Sequence, residues 1–70
     1  MNYTKEKVRI YFEYEYNRLV ALLERNPDWL RNNRREAVWN TIQRCLGVAE
    51  FVGDVEEEYE IIREKLWKLY

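Results

Sequence analysis

From Thr4 to about Arg25 the chain carries neither glycine nor proline, and Val8, Phe12, Tyr16, Leu19 and Leu23 recur at intervals of four, four, three and four. Only an α-helix gathers residues so spaced onto one face, so the pattern predicts an amphipathic helix over 4–25. Asn26-Pro27-Asp28-Trp29 ends it. Pro27 lacks a backbone donor and pushes Asn26 out of the α region. The same residues suit a helix start, with Asn26 as cap, Pro27 at the first helical position and Asp28 at the positive end of the helix dipole.

A second start follows, because Asn33 stands three residues before Glu36 in capping-box order. The expectation is therefore a short turn at 27–31 and a second helix over 34–52, with Val38, Ile42, Cys45, Ala49 and Val52 on its apolar stripe. Gly53 is expected to close that helix in a left-handed conformation. Asp54, with Glu57 three residues on, is expected to cap a third helix over 54–69, whose stripe is Val55, Tyr59, Ile62, Leu66 and Leu69.

Short connections make successive helices antiparallel neighbours. The chain thus predicts one all-α domain over 1–70, a small three-helix up-down-up bundle. Its alternative is a long helical hairpin, with Gly53 absorbed into the second helix, that dimerises into a four-helix bundle. Charge favours the three-helix form. It sets Lys5, Lys7 and Arg9 beside Asp54, Glu56, Glu57 and Glu58, and gathers Arg25, Arg31, Arg34, Arg35, Lys65 and Lys68 at the opposite pole.

Seventy residues bury only a thin core. Small domains compensate with disulfides, metals, dense packing or oligomerisation. One cysteine and no histidine exclude an internal disulfide and a zinc-type ligand set, so no cofactor is expected. The longest apolar run, Leu19 to Leu23, is too short for a bilayer span or a signal sequence. No membrane partner is expected, and a cytoplasmic location is.

Apolar residues also lie off the core stripes. On a wheel of the first helix, Tyr3, Ile10, Tyr14 and Ala21 form a second stripe nearly opposite the first; Phe51, Ile61 and Trp67 lie off the stripes of the other two helices. One bundle cannot bury both sets, so self-association as a symmetric dimer is expected, with another protein as the second choice of partner. Tyr3, Ile10, Tyr14, Phe51 and Trp67 are the candidate interface.

The chain offers no reaction chemistry. Glu15 lies within the apolar arc of the first helix, where a carboxylate requires a partner. Arg18, an arginine of the second helix or a tyrosine hydroxyl is expected to supply one. Cys45, mid-stripe and far from a helix start, reads as a small hydrophobe. Glu56, Glu57, Glu58 and Glu60 point in different directions around a helix and cannot converge on one cation. With two glycines there is no phosphate-binding loop. The chain reads as a non-enzymatic protein-interaction module with no evident small-molecule substrate. The reading of a different class is a nucleic-acid or anion-binding accessory protein using the basic pole at 25–35: Arg31, Arg34 and Arg35, with Trp29 as a stacking platform. Leu46-Gly47-Val48-Ala49 suggests a helix-turn-helix turn, but Glu50, Asp54 and Glu56 to Glu58 would then face phosphates, which excludes it.

Overall fold

The computed structural model describes residues 3–70, apart from the side chains at positions 3, 27 and 29–32. It contains three helices packed against one another, α1 (Tyr3–Arg25), α2 (Pro27–Val52) and α3 (Glu56–Trp67), as a small all-α three-helix bundle.

Pro27 occupies the start of α2, where its missing N–H breaks no intrahelical bond. The expected turn at 27–31 does not form: α2 runs without a break for 26 residues. No glycine or proline lies between Asp28 and Leu46, and a fresh start at Asn33 would have sacrificed backbone bonds that a continuous helix keeps. Asn26 has a non-helical backbone, but its side chain does not cap α2. Its amide Nδ2 instead donates back to the Leu22 carbonyl at 3.4 Å, beside the Asn26 backbone N–H at 3.1 Å, and so satisfies the end of α1.

The second reversal also departs from expectation. Gly53 has φ 78° and ψ 156°, a region essentially reserved for glycine, while its N–H donates to the Ala49 carbonyl at 2.8 Å. The left-handed residue is Asp54, at φ 57°. Asp and Asn tolerate that conformation better than most side chains, but it removes Asp54 from the capping position, which Val55 takes. Val55 caps nothing with its side chain and is buried instead. Glu56, Glu57 and Glu58 in the first turn oppose the exposed amides electrostatically. This abrupt reversal folds α3 back onto α1 and α2, giving the up-down-up path and not the long hairpin.

All three helices contribute to one core of Val8, Phe12, Leu19, Val38, Ile42, Cys45, Val55, Ile62 and Leu66. The helices differ in reach. At 1.5 Å per residue α1 and α2 extend roughly 35–39 Å, against about 18 Å for α3. The last residues of the chain reach Arg34 and Arg35, so the α1–α2 turn projects beyond the end of α3. Among the described residues no helix is long and apolar enough to cross a membrane.

Candidate interaction surface

The helical period that buries Phe12 and Leu19 also carries Glu15 inward, where it is only 3% exposed. Arg44 of α2 meets it: its Nε donates to Glu15 Oε2 at 2.7 Å. The Tyr11 hydroxyl donates to the same oxygen at 3.3 Å, and Arg18 approaches the other at 3.7 Å. All three kinds of partner expected from the sequence are thus present. Arg44 is fixed in turn by Thr41, whose Oγ1 accepts from Nη2 at 3.1 Å and donates to the Ala37 carbonyl at 2.9 Å. The carboxylate is a structural tie between α1 and α2. Burial, and then the Glu15 charge, raise the Tyr11 hydroxyl pKa above its usual value.

Cys45 is fully buried on α2. Burial first and Glu15 second push its thiol up to about 12, with Arg44 opposing. A nucleophilic cysteine needs the reverse shift, so this thiol is a packing group. Among the described residues no group of three or more His, Cys, Asp or Glu side chains is placed to hold a metal ion.

Ile10, Tyr14, Phe51 and Ile61 are the most exposed large apolar side chains among the described residues. Ile10 and Tyr14, one turn apart on its outer face, are 64% and 61% exposed. Phe51 of α2 is 92% exposed and lies two turns beyond Arg44, on the flank that reaches toward α1. Ile61 of α3, 62% exposed, lies one turn before Lys65, which contacts Glu13 at 3.1 Å and sits 4.4 Å from the centre of the Tyr16 ring. The side chain of the remaining α1 candidate, Tyr3, lies outside those described.

Trp67 is placed differently from the other interface candidates. It packs half-buried against the core, with its ring centre 6.2 Å from Trp39 and 4.7 Å from Tyr70 in an edge-on contact. Sequence periodicity did not single out this cluster. The signal was there in the 60° offset of Trp39 from Ile42 on the helical wheel, but only the position of α3 decides which flank of α2 is covered.

Of the basic candidates, Arg34 donates from Nε to the Leu69 carbonyl and the Arg35 guanidinium lies 5.4 Å from the centre of the Tyr70 ring. Both thus hold the end of the chain against α2. The side chains of the other two patch residues, Trp29 and Arg31, lie outside those described.

Away from α3, a groove of about 250 Å³ runs between α1 and α2. Leu19, Leu22 and Ala37 form its apolar lining, and Arg18, Arg44 and Glu36 stand along it. Sequence reading did not find it, since a groove depends on the register of two helices. Comparison with protein-family models, with characterised proteins and with solved structures finds no match to this chain.

Proposed function

We propose that the chain is a small, non-enzymatic helical interaction module of the cytoplasm that acts by self-association, with the homodimer as its smallest assembly. The observation that carries this reading is Phe51, 92% exposed on a regular helix, together with Ile10, Tyr14 and Ile61, each more than 60% exposed. A small soluble monomer has little reason to hold several large apolar side chains this far in water, and aromatic residues dominate buried contacts between proteins. A 70-residue core also has more to gain from association than a larger one.

The test pairs Phe51→Ser with Tyr14→Ser and measures mass by sedimentation equilibrium. Both side chains point to solvent, so helical circular dichroism should be unchanged while association weakens by about tenfold or more. Association of undiminished strength in the folded double variant would remove the assigned surface from the account.

A further inference from the structure

We propose that two copies pair through the α1–α2 side of the bundle, the outer ridge of α1 in each lying over the notch that Gly47 leaves in the partner's α2. This inference rests on the self-association reading and gives it a geometry.

Gly47 stands exposed in the interior of α2, and a Cβ built on it would meet nothing within 4 Å. Alanine is the better helix former, and the single chain has room for it there. What a bare backbone allows is the close approach of another chain. Gln43, Gly47 and Phe51 follow one another at steps of four, so they form one ridge of α2 with a notch just before the exposed Phe51 ring. Ile10, Tyr14, Arg18 and Leu22 form the corresponding ridge of α1. Arg18 and Leu22 line the groove between the two helices, and Ile10 and Tyr14 stand exposed beyond it.

The 2.7 Å contact between Arg44 and Glu15 sets these antiparallel helices level at that point. Gly47 is then level with Phe12, Phe51 with Val8 and Glu36 with Leu23. A two-fold axis parallel to the helices keeps every residue at its height and lays α1 of each copy against the partner's α2. Tyr14 then comes two residues, roughly 3 Å, from the height of the partner's Gly47, and Ile10 equally near that of the partner's Phe51. The Phe51 ring of each copy is covered by the two exposed α1 side chains of the other.

Charge selects the same axis. Lys7, Arg18 and Arg25 flank the α1 ridge, while the exposed acids Glu6, Glu13 and Glu24 lie on the other flank, where Glu13 meets Lys65. Arg18 and Arg44 are already turned to the buried Glu15. Glu36 is the exposed acid along the groove, and the lengthwise axis brings the partner's Arg25 to within two residues of its height. A two-fold axis across the helices would instead lay α1 on the partner's α1, opposing Lys7, Arg18 and Arg25 to their own copies. The lengthwise pairing is isologous and closes at two copies. Ile61, beside Lys65 on the far flank of α1, stays outside it.

Two sets of variants test this pairing. Gly47→Leu fills the notch at a position where the single chain has room, so helical circular dichroism should be kept while association weakens by about tenfold or more. Arg25→Glu and Glu36→Lys should each weaken association alone. An equal mixture of the two should restore it as a 1:1 complex of twice the 8.8 kDa chain mass, since unlike charges then meet at both contacts. If Gly47→Leu does not fold, the mixture decides the matter. A folded Gly47→Leu that associates as wild type does, or a mixture no tighter than its components, would overturn this pairing and leave self-association standing. A wild-type chain that stays monomeric throughout would overturn both.

Discussion

The seam between α1 and α2 and the seat of α3 are built from different chemistry. Between α1 and α2 a buried carboxylate is held by Arg44, Tyr11 and Arg18, in the midst of Phe12, Leu19, Ile42 and Cys45. α3 is held by the apolar Val55, Ile62 and Leu66, while its polar contacts, Lys65 with Glu13 and Arg34 with the Leu69 carbonyl, lie at the surface. Apolar packing is tolerant of small slips in register; a buried ion pair is not, since a misaligned helix leaves a charge without its partner. The α1–α2 pair is thus fixed in register by one polar cluster, and the short helix is held mainly by buried area.

The largest effect should come from Leu66→Ala, which removes a fully buried side chain from the seat of α3. A loss of about 3 kcal/mol is expected in urea unfolding. If α3 shares one cooperative core with the hairpin, circular dichroism and tryptophan fluorescence will report the same midpoint. A separate early fluorescence transition, with Trp67 and Trp39 exposed first, would divide the two regions energetically. Arg44→Ala should follow closely, at about 3 kcal/mol, because Glu15 keeps only Tyr11 and the longer Arg18 contact. Replacing both Glu15 and Arg44 by leucine should recover most of that loss. A double variant as unstable as Arg44→Ala alone would show that the seam depends on more than charge pairing.

Alkali should act on the hairpin seam next. Cys45, pushed up to about 12, and Tyr11, also raised, both hold their protons more tightly in the folded chain than in the unfolded one. Stability from these groups is full below the unfolded thiol value of about 8.5 and falls as pH rises toward 12, by about 1.4 kcal/mol per unit from the thiol. Urea midpoints that stay level from pH 9 to 11 would contradict this. The smallest effect belongs to Lys65→Ala at the seat of α3. Its contact with Glu13 is partly exposed, and less than about 1 kcal/mol should be lost, with most of the loss absent in high salt.

Much of this architecture was legible before any coordinates. The stripe from Val8 to Leu23 and the punctuation at Pro27 and Gly53 placed the helices and their reversals, because backbone geometry acts locally. The inward angle of Glu15 also foretold the kinds of partner it finds. What escaped was set by competition or by neighbours. Asn33 has the right spacing for a cap, yet continuing α2 from Pro27 keeps more backbone bonds than a new start. Asp54 resembles a cap, but the reversal needs it left-handed. The Trp39, Trp67 and Tyr70 cluster and the groove beside Leu22 arise only when flanks of two helices meet, and a one-helix wheel carries no such information.

The claim that this bundle is one part of a larger assembly is tested most directly by the weight-average mass of the wild-type chain, followed by sedimentation equilibrium from about 1 μM to about 1 mM. The account predicts a mass that rises with concentration from the 8.8 kDa chain toward twice that value. A mass that remains at one chain across the whole range would contradict it.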